Sequence, residues 1–268
     1  MKLIRHSLLC AALLAAPAAL AADASQWAID IRSATRLLAS SPSKDQGSLR
    51  AGVEFRMDPG WHTYWRYPGD SGVPPRFDFD ASENLREAKV LYPAPHAFED
   101  ETGTSIGYLE HVVFPVQVTP RDPKKPVRLK VTVNYAVCQK LCVPAEASLD
   151  LLLGDKSGFD DRLKAAEAKV PNSVTPQQAG LTARRASGTA KPSVEFEISG
   201  GKDVQVFVEG PTAEWALPIP KQVAGAPKGR YSFELDGLPP GTDPKAPLDL
   251  TFTIVQGDRA IETKTHLD

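Results

Sequence analysis

Two cysteines, Cys138 and Cys142, are the residues of this sequence whose type and spacing most directly suggest chemistry. They lie in the stretch "VNYAVCQKLCVPAEASL", which runs from Val133 to Leu149. Two thiols this close together form a structural disulfide, contribute to a metal site, or exchange electrons as a dithiol and disulfide pair. The elements that position the two sulphur atoms decide which of these chemistries applies.

The beginning of the chain predicts export across a membrane. Lys2 and Arg5 precede an apolar run, Leu8–Leu20, that ends in a small-residue pattern. This is the arrangement of a secretory signal peptide, so we expect residues 1–21 to be removed, together with the third cysteine, Cys10. The processed chain is expected in the periplasm, a compartment that permits disulfides.

The remaining sequence argues against two classes of protein. No later segment approaches the ~18 consecutive apolar residues that a spanning helix needs, so no integral membrane segment is expected after signal removal. Loss of the two signal cations changes the formal charge from -2 to -4, and no run of Lys or Arg forms a basic stripe. Nucleic acid is therefore not an expected partner.

A metal site is poorly supported by the residues available. His62, His96 or His111 could join the two thiolates, but there is no second cysteine pair and no H-x3-H spacing. Met57 is the only methionine after the signal segment, whereas carriers of soft metals need more sulphur ligands. We therefore expect neither a bound metal nor another cofactor.

The spacing of the cysteines favours a hairpin. On one straight strand their Cα atoms would lie ~13 Å apart, beyond the ~4.4–6.8 Å of a disulfide. Strand alternation before Cys138 and a proline at position 144 both disfavour a helix. If residues 139–141 form the tip, the cysteines face each other at ~4.5–5.5 Å in an exposed position.

The small stabilisation expected from such a disulfide is compatible with a structural role and with a redox role. Closing so short a loop stabilises a protein by roughly 2 kcal/mol in the chain-entropy model, which is little for domains of this size. A short and exposed disulfide is also readily reduced. Lys140 could favour the thiolate, although a lysine in a solvated turn needs no such role. Spacing alone supports a structural bond and a redox pair about equally.

Apolar residues recur at every second position, which predicts an almost entirely β structure. We expect two β-sandwich domains joined by a short helix and a linker, with turn clusters such as "YPGDSGVPP" between strands. The predicted divisions are residues 23–155 for the domain that carries the cysteines, 156–190 for the helix and linker, and 191–268 for a second, smaller domain. The aromatic residues Trp61, Tyr64 and Trp65 of "WHTYWRY" could line a ligand groove. Alternation, however, places Trp61 and Trp65 on one face, where core packing is expected, and His62, Tyr64 and Arg66 on the other.

Three motifs resemble one known family. The stretches "WHTYWRYPGDSGVPP", "GTSIGYLEHVVFPVQV" and "VNYAVCQKLCVPAEASLDL" are similar to the N-terminal periplasmic domain of the DsbD thiol:disulfide interchange family, and most closely to its ScsB-like branch. The likeness covers roughly residues 45–155. It implies an immunoglobulin-like domain that receives reducing equivalents from a membrane-embedded DsbD- or CcdA-like donor and passes them to oxidised periplasmic thioredoxin-fold proteins. The branch also carries a second β domain and is linked to copper tolerance.

The resemblance also implies roles for individual residues. By position, Cys142 would attack or be attacked by the partner, and Cys138 would be the resolving cysteine. Acidic residues near the pair in the family suggest Glu99, Asp100 or Glu101 as proton acceptors or relays. A solvated acidic loop explains the same residues equally well.

This sequence departs from the best-known members of the family in three ways. Its C-x3-C spacing is tighter, the aromatic residue of the cap loop has no clear equivalent in "EDETGTSIGY", and no membrane or thioredoxin domain follows. The expected function is thiol:disulfide exchange with other proteins, an oxidoreductase chemistry in a carrier, with cytochrome c biogenesis as one process it could serve. The competing hypothesis is a periplasmic binding, copper-stress or assembly module, not an enzyme, whose disulfide is structural.

Overall fold

The computed structural model of the chain describes residues 23–40, 48–69, 72–100, 103–153, 158–187, 191–200 and 204–268. The predicted signal segment, residues 1–21, lies outside these ranges. Strands dominate the described residues and form four sheets, which confirms the predicted all-β chain of two immunoglobulin-like sandwiches. Among these residues, no helix has both the length and the hydrophobicity that a membrane-spanning segment requires.

The first sandwich consists of two sheets that enclose an aromatic core. Its strands are β1 (Ala28–Ile29), β2 (Ser33–Ala39), β3 (Leu49–Met57), β4 (His62–Gly69), β5 (Arg76–Asp78), β6 (Leu85–Val90), β7 (His96–Asp100), β8 (Gly103–Leu109), β9 (His111–Pro120), β10 (Val127–Cys138) and β11 (Cys142–Leu153). One sheet has the order β1-β2-β3-β9-β6, and the other has β11-β10-β4-β8-β7 with β5 beside β10. Phe55, Trp65 and Phe114 are fully buried between the sheets.

Strand β10 shows how the sequence pattern builds this core. Val127, Leu129, Val131 and Val133 are buried, and the residues between them are partly or fully exposed, as expected for a strand with one solvated face. From Tyr135 to Cys138 every residue is buried, so both faces of β10 are covered at the end that carries the cysteine. Each fully buried valine contributes roughly 1.5–3 kcal/mol to stability.

The described residues after Leu153 form two short helices and the second sandwich. Its elements are α1 (Asp160–Glu167), β12 (Asn172–Ser173), α2 (Pro176–Ala179), β13 (Leu181–Arg185), β14 (Ser193–Ile198), β15 (Gln205–Glu209), β16 (Lys221–Gln222), β17 (Arg230–Glu234), β18 (Leu248–Gln256) and β19 (Arg259–Leu267). The sheets have the orders β12-β19-β18-β15 and β13-β14-β17-β16, and Phe196 and Phe252 lie between them.

The segment predicted as helix and linker, residues 156–190, contributes strands to the second sandwich. β12 pairs in parallel with β19, and β13 pairs along its whole length with β14. Its polar, Pro- and Gly-containing sequence suggested a connection. However, Leu181 is buried, and a strand at the edge of a sheet needs only one apolar face. The elements of the second sandwich therefore begin at Asn172 and not at residue 191.

The two sandwiches meet at β4 through an ion-pair cluster. Nε and Nη2 of Arg66 donate to the two carboxylate oxygens of Glu209 at 2.8 and 2.7 Å. Nη2 also contacts Glu262. Burial alone would lower the pKa of Arg66, but the two carboxylates hold it above its ordinary value. The guanidinium on β4 is thus held by β15 and β19 of the second sandwich.

Apolar contacts extend this junction on both sides of Arg66. Trp65 packs against Phe207, with 5.8 Å between ring centroids, and Phe207 is only 1% exposed. The hydroxyl of Tyr67 donates to the carbonyl oxygen of Leu217. Phe207 belongs to the same apolar cluster as the first core, so the two sandwiches share buried surface.

A buried carboxylate attaches α1 to the first sandwich. Glu54, on β3, is fully buried, and its oxygens accept from Arg36 at 2.7 Å and from Arg162 of α1 at 2.6 Å. His111 Nε2 lies 2.9 Å from the same carboxylate. Burial alone would raise the pKa of Glu54, but the hydrogen bonds from His111 and Arg36 and the charges of Arg36 and Arg162 lower it to about 2.

Candidate functional site

The two cysteines face each other as the last residue pair of the β10–β11 hairpin. Cys138 pairs with Cys142 in the antiparallel register, their Cα atoms are 4.1 Å apart, and their sulphur atoms are bonded. Residues 139–141 form the tip, and Gln139 N donates to the Leu141 carbonyl oxygen at 3.4 Å. The structure therefore has the predicted hairpin and tip.

The two sulphur-bearing residues differ in exposure. Cys142 is exposed, whereas Cys138 is 1% exposed. The expectation that both would be exposed at a hairpin tip was wrong for Cys138. The reason is that β10 is an interior strand, paired with β11 on one side and with β4 on the other, and its outer face is covered near Cys138. Only one end of the disulfide is open to an approaching molecule.

Tyr64 covers the buried sulphur. Its hydroxyl donates to Cys138 Sγ at 2.8 Å and lies 3.3 Å from Cys142 Sγ. The ring is 1% exposed and packs with Ala136 and Cys138 as a small cluster on the outer face of the sheet. A phenol next to a sulphur atom stabilises negative charge there, because a hydrogen bond to an ionised acceptor is stronger than one to a neutral acceptor.

His62 and Phe98 continue this cluster away from the disulfide. His62 pairs with Cys138 across β4 and β10, and its ring meets that of Tyr64 edge to face at 5.3 Å. Phe98, on β7, stacks on the His62 ring at 5.3 Å with an interplanar angle of 25°. Three aromatic rings in contact, those of Tyr64, His62 and Phe98, therefore lie next to the disulfide.

The sequence identified the cysteines but gave neither Tyr64 nor Phe98 a role at the disulfide. The alternation in "WHTYWRY" correctly placed Tyr64 with His62 and opposite Trp65, which is fully buried in the core. Alternation did not indicate that β10 lies beside β4. This pairing brings the Tyr64 hydroxyl into contact with Cys138 Sγ. Phe98 directly precedes the stretch in which no equivalent of the cap-loop aromatic was found.

The three acidic residues suggested as proton relays follow Phe98. Glu99 is exposed at the end of β7. The side chain of Asp100 and the whole of Glu101 lie outside the described part of the chain. Their role in proton transfer stays a prediction.

The histidines considered as companions of the thiols lie on three different strands. His62 is beside the disulfide on β4, His96 begins β7, and His111 on β9 contacts Glu54. Within the described ranges no group of three or more His, Cys, Asp or Glu side chains is arranged to hold a metal ion.

Fold and site together define a β-sandwich protein whose hairpin carries a disulfide between one exposed and one buried cysteine. Comparison with known families matches residues 34–154 to the family described as thiol:disulfide interchange protein DsbD, N-terminal. This match identifies the first sandwich as a DsbD N-terminal domain, as its three sequence motifs predicted. The pair therefore lies in a thiol:disulfide interchange domain.

A solved structure shares the arrangement of both sandwiches. The N-terminal periplasmic domain of ScsB from Proteus mirabilis superimposes with a TM-score of 0.72, covering 91% of this chain and 98% of the other. The two sequences are 20% identical, so the likeness concerns the fold. No curated protein sequence matches the chain.

Proposed function

We propose that this chain exchanges electrons with other proteins in the periplasm through Cys138 and Cys142. A membrane-embedded DsbD- or CcdA-like carrier supplies the reducing equivalents, and oxidised thioredoxin-fold proteins receive them. The observation that carries the proposal is the asymmetry of the disulfide: one cysteine is exposed and the other is buried beneath a phenol that donates to its sulphur at 2.8 Å. This arrangement supports attack on Cys142 Sγ and departure of Cys138 Sγ as the leaving group.

Reduction begins with attack by a thiolate of the donor on Cys142 Sγ. The bond between the cysteines breaks, and Cys138 leaves as a thiolate that accepts the hydrogen bond of Tyr64. The second thiolate of the donor then attacks the donor's own sulphur in the mixed disulfide and releases Cys142. The donor is oxidised to a disulfide, the pair is reduced by two electrons, and the thiolates take protons from solvent.

Delivery runs the same chemistry in reverse. The Cys142 thiolate attacks the disulfide of the acceptor, and Cys138 then attacks Cys142 Sγ, which restores the bond and releases the reduced acceptor. Glu99 is the described acidic residue to which we assign proton transfer, and Asp100 and Glu101 remain candidates for the same role. Cytochrome c biogenesis and copper tolerance are the processes in which we expect such acceptors.

The geometry favours exchange over a structural role for the bond. Twelve residue pairs already join β10 to β11, from Val127 with Leu153 to Cys138 with Cys142. Because the paired strands already bring Cys138 and Cys142 together, the disulfide adds little to the stability of the fold, roughly 2 kcal/mol. Two sandwich cores of this size do not depend on it.

Trapping a mixed disulfide tests the proposal. In a Cys138→Ser variant, Cys142 keeps its thiol but lacks its resolving partner, so adducts with thioredoxin-fold proteins should accumulate on non-reducing gels of periplasmic extract. The matched Cys142→Ser variant leaves only the buried thiol, and it should form far fewer adducts. Absence of adducts from both variants, with a native disulfide that stays oxidised at about −300 mV, would show that the bond is structural.

A further inference from the structure

A groove runs along the first sandwich from the aromatic cluster beside the disulfide to α1. Its volume is about 490 Å³, and it lies between the turn that joins β8 to β9, the segment that leads into β7, and one side of α1. Its apolar lining residues include Phe98, Leu109 and Ala165, and its polar lining residues include His96, Arg162 and Lys169.

One end of the groove, at Leu109, lies close to the disulfide of Cys138 and Cys142. Leu109 pairs with His62, which pairs with Cys138, so these residues form one row across β8, β4 and β10. Two strand spacings separate Leu109 from Cys138, or roughly 10 Å. Leu109 is 47% exposed, and Leu141 at the hairpin tip is 72% exposed. A protein that covers Cys142 therefore also reaches the apolar end of the groove.

The far end of the groove carries positive charge. None of its described lining residues is acidic. Arg162 is 40% exposed and already contacts Glu54, whereas Lys169 is exposed and forms no ion pair with any described residue. Lys169 is thus available to an incoming carboxylate.

An adjoining cavity of about 420 Å³ extends the cationic surface. It shares Arg162 with the groove and adds Arg56, which is 55% exposed and lies 4.0 Å from the buried Glu54. Glu110 also lines this cavity, and its carboxylate accepts from Gly60 N at 2.9 Å. Three arginines, Arg36, Arg56 and Arg162, surround the single buried carboxylate. The surface therefore remains net positive.

We propose that this groove binds an acidic segment of the protein that exchanges disulfides with Cys142. An aliphatic side chain of that segment packs on Leu109 and Phe98, and a carboxylate beyond it pairs with Lys169 and Arg162. The inference rests on the proposed function, and it adds that partners are selected by negative charge beside their reactive cysteine. Complementary charge at the border of an interface mainly raises the association rate.

Two synthetic peptides test this selection. One has the sequence Cys-Gly-Gly-Leu-Gly-Gly-Glu-Glu, and the other ends in Gln-Gln; in extended form each reaches about 20 Å beyond its thiol. The measurement is the second-order rate constant with which each reduced peptide opens the native disulfide. At low salt the acidic peptide should react roughly fivefold faster, and the preference should disappear near ~0.5 M NaCl. Rates with a small soluble disulfide correct for the reactivity of each thiol.

Paired lysine variants provide the control. Lys169→Glu should abolish the preference for the acidic peptide. Lys164→Glu makes the same charge change at an exposed residue of α1 that does not line the groove, and it should retain the preference. Leu109→Ser should slow both peptides equally, because it removes the apolar contact that they share.

Several results would overturn the assignment. Equal rates for the two peptides at low salt, or equal loss in both lysine variants, would show that the groove does not select acidic segments. A sedimentation coefficient that rises with protein concentration, and does not in Leu109→Ser, would assign the groove to a second copy of the chain. If neither peptide opens the disulfide, the exchange function itself fails and the groove proposal fails with it.

Discussion

The hydroxyl of Tyr64 donates to the buried sulphur of Cys138 at 2.8 Å, so removing this hydroxyl tests one contribution to the exchange chemistry. In Tyr64→Phe the Cys138 thiolate loses a hydrogen bond of the charge-assisted kind, which is worth roughly 1.5–3 kcal/mol. We expect the pKa of the Cys138 thiol to rise, because its thiolate is no longer stabilised by this hydrogen bond. Because a poorer leaving group departs more slowly, reduction of the disulfide should slow by roughly three- to tenfold.

The pKa of the Cys138 thiol is measured by following thiolate absorbance against pH in the Cys142→Ser variant. The same titration is repeated in the double variant that also carries Tyr64→Phe. Tyr108→Phe is the matched control, since Tyr108 is also buried on the same sheet and its hydroxyl donates to the Pro93 carbonyl oxygen, away from both sulphur atoms. A pKa and a reduction rate that change equally in the two tyrosine variants would contradict a specific role for Tyr64.

Single residues could be predicted from the sequence only where local spacing determines their place. Cys138 and Cys142 are close in the chain, so a hairpin was the arrangement that could join them. Tyr64 lies 74 residues before Cys138, and their contact depends on the pairing of β4 with β10. Alternation gives the face of a strand but not its neighbour, and the hydrogen bond to sulphur was therefore not predictable.

Among the secondary-structure elements, the hairpin was the most predictable, and the edge strands were the least. Both long strands of the hairpin, β10 and β11, follow a period of two in the sequence. β13 has only five residues beside a polar, Gly-containing segment, and it becomes a strand because β14 offers an unpaired edge. Pairing of that kind depends on tertiary contact more than on the propensity of the segment.

Glu54 links several elements through one carboxylate, which makes their attachment sensitive to pH. The pKa of Glu54 is lowered from 4.5 to about 2 in the folded chain. A lowered carboxyl pKa stabilises the fold above the unfolded value and loses this effect as the pH falls through the folded value. We expect Glu54→Gln to cost about 2 kcal/mol at neutral pH, after allowance for the solvent exposure of His111 and Arg162.

Urea denaturation between about pH 7 and pH 2 measures the effect. The difference between Glu54→Gln and the unmodified protein should shrink from pH 4.5 downward and nearly disappear at about pH 2. Asp150→Asn provides a control, because Asp150 is a half-exposed partner of Arg128 on the hairpin. A stability difference that stays constant over this range would contradict the proposed ionisation of Glu54.

For the whole molecule, the sequence predicted two sandwiches but not their arrangement. The composition of each domain and the alternation of its strands are local properties. The junction, however, is formed by Arg66 with Glu209 and Glu262, residues separated by 143 and 196 positions. Arg66 occupies an outward-facing position on β4, and before the second sandwich is placed it is indistinguishable from a solvated arginine.

Arg66 also provides the sharpest prediction about the molecule as a whole. Arg66→Ala removes the cation between two partly buried carboxylates and leaves Glu209 and Glu262 facing each other, which should cost about 3 kcal/mol. Since the interface joins two separate cores, the loss should also uncouple them, so that one calorimetric transition becomes two.

Comparison with Arg128→Ala separates this effect from the loss of a surface charge. Arg128 pairs with Asp150 in solvent, and its removal should leave a single transition at an unchanged midpoint. A single, unshifted transition in Arg66→Ala would mean that the apolar contact of Trp65 with Phe207 suffices to join the sandwiches. Two transitions would identify Arg66 as the residue that makes them unfold together. Because Arg66 lies only two residues after Tyr64 on β4, uncoupling should also alter the reduction rate of the disulfide.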